Sequence, residues 1–282
     1  MTQSVTLEKL INIVRALRIT EWRAYVGIAV YGALLSSNDI LETLEILPPL
    51  MIGVFLYMAS AYLANNVFDV KGDSLSKRKS TKNPFTTGSL TLSEGIAVTL
   101  ITSSLGILFV IMTTNSLAAV SYIIGLFLAL MYSIPPVRLK ERVILDLLSH
   151  SIFFGAALFL FGFFLNGDCP PAHILATIIT YSMILELRNE IEDIHVDKEA
   201  GYYTTAVVLG YECSVKLLRS LLAMFVSITF FSLYRICTLA LIPFITFLTI
   251  IIATRLDIDH ETRLMDAYAV AYYVIIFIAK FL

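Results

Sequence analysis

Apolar runs of roughly the 20 residues needed to cross a bilayer follow one another from residue 22 to the C-terminus, more than a soluble core could bury. They fall at 22–37, 47–68, 92–113, 116–134, 143–165, 171–191, 214–233, 237–254 and 264–282. In hydrocarbon every backbone N–H and C=O must find its partner within the segment, so such runs cross as helices. The expected fold class is therefore all-α, a polytopic membrane protein of about nine transmembrane helices. Composition agrees: 58% of the residues are hydrophobic and only 15% charged, where soluble domains carry about a quarter. Proline pairs punctuate the pattern, with Pro48-Pro49 expected to open the second helix, Pro135-Pro136 to close the fourth and Pro170-Pro171 to open the sixth.

The cations test this count. With the N-terminus and the loops after helices 2, 4, 6 and 8 on one side, 18 of the 20 Lys and Arg residues collect there, and only Arg235 and Lys280 fall opposite. One missed or invented helix would scramble that asymmetry. The rich side is expected to be cytoplasmic, in a protein integral to the cell membrane. Residues 3–20 carry Leu7, Leu10, Ile11, Val14 and Leu17 at helical spacing, which predicts an amphipathic helix lying on the interface. The domain reading is an interfacial helix over 1–20 and a single transmembrane domain over 21–282. Met1 to Thr20 lacks the pattern of a cleaved signal peptide. A net charge of −2 without a long basic block argues against a nucleic-acid partner, and Cys169, Cys213 and Cys237, in no metal-type spacing, read as buried bystanders.

Two acidic stretches break the apolar pattern, each at the cytoplasmic end of a spanning run. The first places Asn65, Asp69 and Asp73 at spacings of four; the second places Glu190, Asp193 and Asp197 at spacings of three and four. Those intervals put each set on one helix face. Four Asp/Glu groups at membrane depth would cost at most about 10–14 kcal/mol, and less at the interface, so intramembrane acids mark function by default. Oxygen-only ligands without a dedicated cage suit Mg²⁺, which shares its coordination with waters and substrate phosphates.

With these residues the chain resembles the UbiA superfamily of intramembrane aromatic prenyltransferases. Asn65, Asp69 and Asp73 match that family's NxxxDxxxD motif after the second helix, and Asp193 and Asp197 match its DxxxD-type motif after the sixth, with Glu190 where many members have a further Asp. The segment Tyr132-Ser133-Ile134-Pro135-Pro136-Val137-Arg138-Leu139-Lys140 is similar to the family's YSxPPxRLK run. Residues 197–210 are similar to its D-x-x-A-G…T-x-x-V-x-L-G run. Val196 stands where Gly is common, and Lys82 to Gly88 is a variant of the usual loop.

The resemblance implies a UbiA-type bundle around a central cavity, and Mg²⁺-dependent transfer of an isoprenyl group from its diphosphate, of farnesyl or geranylgeranyl type for example, to an aromatic or other lipophilic acceptor in quinone or lipid biosynthesis. Asn65, Asp69, Asp73, Glu190, Asp193 and Asp197 would hold the metal. Arg78, Lys82, Arg138 and Lys140, with Arg18 as a lesser candidate, would steady the diphosphate, and Tyr132 would face the diphosphate or the allylic cation. Lys77, Lys79 and Arg142 read as topology determinants, His195 points off the acidic face, His150 has no partner in sequence, and Asp146 is expected to pair with Arg142. Asp257, Asp259, His260, Glu261 and Asp266 read as an acidic loop between the last two helices. The rival reading is a cation-coupled transporter with paired acids along an ion path. A soluble-type isoprenyl diphosphate synthase is excluded by the number of spans.

Overall fold

A computed structural model describes residues 2–234 and 258–280, so the eighth predicted run, 237–254, and Cys237 lie outside the described residues. Regular structure among the described residues is entirely helical. In chain order the helices are α1 Thr2–Leu17, α2 Arg23–Ser36, α3 Ile40–Phe68, α4 Val70–Leu75, α5 Lys77–Ser80, α6 Leu92–Thr113 and α7 Ser116–Ser133. They continue as α8 Leu145–Phe163, α9 Ala172–Ala200, α10 Thr205–Leu209, α11 Tyr211–Tyr234 and α12 Ile258–Lys280.

Six of these helices are long and apolar enough to span a membrane: α3, α6, α7, α8, α11 and, from His260, α12. With α2 they make this an integral membrane protein of the all-α class. The helix α2 is apolar but has 14 residues. The helix α9 has 29 residues, but Glu186, Arg188, Asn189 and Glu190 follow its apolar first half.

Helix starts follow local chemistry. Thr91 and Glu94 close a reciprocal capping box on α6, and the Asn115 side chain accepts from Ala118 N–H to cap α7. The start of α3 differs from expectation. Asp39 caps it by accepting from Glu42 N–H at 2.8 Å, so the helix begins at Ile40 and Pro48-Pro49 lie inside it. The prolines withhold donors from the carbonyls one turn earlier, at Leu44 and Glu45, and both residues are exposed. The acidic loop expected before the last helix is helical from Ile258. Arg219 grips the buried Glu261 with two hydrogen bonds of 2.9 Å, and Asp266 pairs with Arg188 at 3.1 Å, which gives this first part of α12 its partners. Cys169 and Cys213 are exposed rather than buried. On α1 the stripe of Leu7, Leu10, Ile11 and Val14 is more than half exposed, while Asn12, Ala16 and Leu17 turn inward.

The helices pair as α3 with α6, α2 with α8 and α9 with α11. At the α2–α8 crossing the backbones meet directly. A Cβ on Gly32 would lie 2.2 Å from the Phe159 carbonyl oxygen, and one on Gly162 would lie 1.9 Å from that of Ala29. Small residues allow such approach in membranes, where van der Waals contact holds helices together. Gly162→Val should separate the two helices, cost about 1–3 kcal/mol, and lower the thermal midpoint of the detergent-purified protein by several degrees. An unchanged midpoint would contradict this crossing.

Candidate active site

A cavity of about 480 Å³ opens among α3, α4, α7, α8 and α9, and both acidic motifs line it. Asp69 sits where α3 passes into α4, but Asp69 N–H still donates to Asn65 O (2.9 Å) and Asp73 N–H to Asp69 O (2.8 Å), so the one-face spacing survives the junction. On α9, Glu190, Asp193 and Asp197 follow the helical period toward its C-terminal end. The two motifs are tied by backbone contacts. Lys71 Nζ donates to Ala200 O (2.8 Å), and Gly72 N–H donates to the Tyr202 hydroxyl (3.1 Å). A Cβ on Gly72 would lie 2.7 Å from the Tyr202 ring, so glycine is what lets α4 sit against the end of α9.

Cations compensate these acids. Asp69 is in contact with Lys140 Nζ and lies 3.5 Å from Arg138. Arg138 also donates to Phe68 O and stacks 5.0 Å from the Tyr202 ring, while Lys140 is 5.7 Å from the same ring. Arg138 does not line the cavity itself; it stands behind Asp69. Across the cavity, Asp193 pairs with Lys79 at 2.8 Å and with the more exposed Arg78 at 3.4 Å. Lys79, expected to act only in topology, is therefore a site residue, because the short α5, capped by Ser76, turns it back over α9. Lys82 and Arg18 line the cavity and share Glu21, at 2.8 and 2.6 Å. Asn83, not anticipated, donates to Asp73 Oδ2 and to Asn66 O, both at 2.8 Å.

These charges shift one another. Burial pushes the Asp197 carboxyl up to about 6, with Lys79 opposing and Asp193 adding to the rise. Burial likewise raises Asp73, against the Asn83 hydrogen bond. Lys79 is held above the usual lysine value because Asp193 and Asp197 outweigh its burial. Burial pulls Lys140 down to about 8 against the pull of Glu141 and Asp197.

One expectation needs correction. Asp146 does not pair with Arg142. It is fully buried and accepts from Thr205 N–H, Thr205 Oγ1 and Leu147 N–H, which locks α8 to α10. Thr205 Oγ1 also accepts from Ile144 N–H and so holds a β-branched residue at φ 71°. Glu190 gives one oxygen to Ala206 N–H at 2.9 Å, so it anchors the same helix. His150, without a sequence partner, lies in the cavity wall beside Glu186, 3.2 Å away. Tyr132 also lines the cavity and donates to Glu186. His195 is exposed and stays outside the lining.

The model of the UbiA prenyltransferase family matches residues 25–277. The chain belongs to that family. Among curated relatives, a lycopene elongase/hydratase of Haloarcula japonica is 28% identical over 171 residues, 59% of this chain and 57% of that one. A probable homogentisate phytyltransferase 2 of Oryza sativa subsp. japonica is 22% identical over 169 residues, 56% and 44% of the two chains. These matches span under two thirds of the relatives' own length. A solved UbiA homolog from Archaeoglobus fulgidus, bound to DMAPP and Mg²⁺, superposes with a TM-score of 0.76 at 18% identity, covering 96% of this chain and 98% of that one. This protein is thus an integral-membrane member of that family with the UbiA fold.

The family implies a divalent metal. Among the described residues no three His, Cys, Asp or Glu side chains are gathered around one point as a single ion would require, because Lys140 and Lys79 draw Asp69 and Asp193 to their own walls. The donor set nonetheless fits Mg²⁺: the acids and Asn65 offer only oxygen, from two sides of one cavity, to an ion that shares its ligands with phosphate. On the wall the buried Arg18 Nε has no hydrogen-bond partner and suits an anion.

The Asp146 network yields a test. Asp146→Ala strands the Thr205 donors, which should cost about 1–3 kcal/mol per unsatisfied group and lower the thermal midpoint, with any diphosphate affinity retained. Arg142→Ala should leave the midpoint unchanged. The reverse ranking would restore the Asp146–Arg142 pairing.

Proposed function

We propose that this UbiA-family enzyme transfers an allylic isoprenyl group from its diphosphate to a polyene or aromatic acceptor, with Mg²⁺ held between the two acidic motifs. The observation that carries this reading is the facing arrangement of Asp69 and Asp73 on one wall and Asp193 and Asp197 on the other, with cations at their backs. A diphosphate cannot approach bare carboxylates. Bound Mg²⁺ would neutralise it and polarise the leaving oxygen as a Lewis acid.

The chain's own residues supply the rest. Arg18, Arg78, Lys79, Lys82 and Lys140 ring the same cavity and would stabilise charge growing on the departing diphosphate, while Arg138 fixes Asp69 from behind. Asn65, whose Oδ1 now accepts from Ser133, completes the first acidic wall. Past the acids the wall becomes aromatic, with Tyr25, Tyr62, Phe153 and Phe154 where an allylic cation would need π-rich shielding from water. Short allylic donors accord with the DMAPP-bound neighbour, and the two curated relatives supply the acceptor classes to try.

The surrounding reading goes with it: nine spans; a domain over 21–282 preceded by α1 on the interface; and the N-terminus and cavity mouth on the cytoplasmic side. The exposed apolar stripe of α1 and the one-sided cations support this.

The test uses detergent-purified protein with labelled dimethylallyl, geranyl, farnesyl and geranylgeranyl diphosphates against lycopene and homogentisate. Transfer should require Mg²⁺ and stop with EDTA. Asp69→Ala and Asp193→Ala should each lower it at least about 100-fold, with helicity and expression retained. Undiminished transfer in either variant, or in EDTA, would remove the two-wall metal site.

A further inference from the structure

One buried carboxylate of the cavity wall lies outside both acidic motifs. Glu186 precedes Glu190 by one turn of α9, about 10 Å along the helix from Asp193. It is only 9% exposed but lines the cavity. Tyr132 donates its hydroxyl hydrogen to Oε1, and His150 Nε2 lies 3.2 Å from Oε2. His150 in turn has Ser182 Oγ at 3.4 Å from its Nδ1 and is boxed edge-on by Phe153 and Phe154, with ring centroids at 5.3 and 5.1 Å. Immediately after His150, α8 opens into a wide π-turn over Ser151–Ala156, a distortion that often marks a functional position in a helix.

This carboxylate differs from Asp69 and Asp193 in its partners. Among the described residues, no lysine or arginine nitrogen lies within 4 Å of it, whereas Asp69 and Asp193 are each paired with ammonium and guanidinium groups. Glu190 accepts from a backbone N–H. Glu186 is thus a wall carboxylate held by the Tyr132 hydroxyl and the His150 ring and set beside aromatic side chains, one turn and more from the acids that face the diphosphate.

The proposed reaction needs such a group. When allylic C1 leaves diphosphate, the C–O electron pair departs with the leaving group. A π bond of the acceptor then supplies the electrons of the new carbon–carbon bond, which leaves the acceptor cationic. Neutrality returns when a C–H bond beside that centre breaks, its electrons re-forming the π bond and its proton passing to a base. We propose that Glu186, oriented by His150 and Tyr132, is that base, and that the aromatic pocket of Tyr25, Phe153 and Phe154 around it seats the reacting end of an unsaturated hydrocarbon or aromatic acceptor. The inference rests on the transfer reading above and adds the residue that ends the reaction.

Three products separate the alternatives when full-length purified protein is given geranyl diphosphate and Mg²⁺, with lycopene, with homogentisate or with no acceptor. These are released diphosphate, alcohol from capture of a cation by water (the prenyl alcohol, or the hydroxylated prenylated acceptor once the carbon–carbon bond has formed), and deprotonated product. The last is prenylated acceptor, or a conjugated diene when no acceptor is present. Glu186→Gln should bind geranyl diphosphate as tightly as the wild type and release diphosphate within about threefold of it. Its deprotonated product should fall about 100-fold or more, the size of a lost general base, with alcohol rising in its place. Glu186→Asp should recover at least about tenfold of that loss, and His150→Asn, which keeps the carboxylate but removes its orienting ring, should show the same redistribution more weakly. Acceptor deuterated at the departing hydrogen should show a primary isotope effect in Glu186→Gln larger than in the wild type.

An unaltered product partition in Glu186→Gln overturns the proposal. So does an equal fall of diphosphate release and deprotonated product that Asp does not rescue, which would make the cluster a packing element. A wild type that binds geranyl diphosphate but never releases diphosphate removes the transfer reading itself, and with it the step this base would serve.

Discussion

Everything in this structure turns on carboxylates placed at the edge of hydrocarbon. An unpaired charge there costs on the order of 2.5–3.5 kcal/mol at the bilayer centre, and less toward the interface. The chain meets that cost locally, with Lys140 and Arg138 against Asp69 and Lys79 and Arg78 against Asp193. The same cations that pair with these acids are positioned to receive an anion. A metal-bound diphosphate would replace one set of ion pairs by another, so filling the site requires no new charge to be buried without a partner.

Much of this architecture is legible in the sequence because membrane helices carry strong periodic and compositional signals. The ends of α6, α7 and α9 coincide with Thr91, Pro135 and Pro171, where capping or proline chemistry acts through nearest neighbours. The start of α3 escapes the same logic: Pro48-Pro49 looks like an opening, but the Asp39 cap nine residues before Pro48 carries the helix through them. The count of spans is blurred for a related reason. Polar residues on α9 that face the cavity lower its hydropathy, though its length is ample.

The site shows the same division. Asn65, Asp69, Asp73, Asp193 and Asp197 share a cavity as their spacing foretold. Lys79 and Asn83 joined them through a loop whose fold no local rule specifies. Glu186 carries a sequence signal of its own, since it extends the series 190, 193, 197 backward by one more turn. His150 and Asp146 could not be placed by reading along the chain, because Glu186 and Thr205, which bind them, are 36 and 59 residues away in sequence.

The close seat of Gly72 on Tyr202 has a further implication for how such a catalyst can diversify. Because backbone and ring contact help set the gap between the acidic walls, a pyrophosphate head gripped there would meet a rigid gauge, indifferent to what hangs from it. Selection for a new tail or a new recipient can then act on the aromatic end of the chamber alone, leaving the charged jaw untouched.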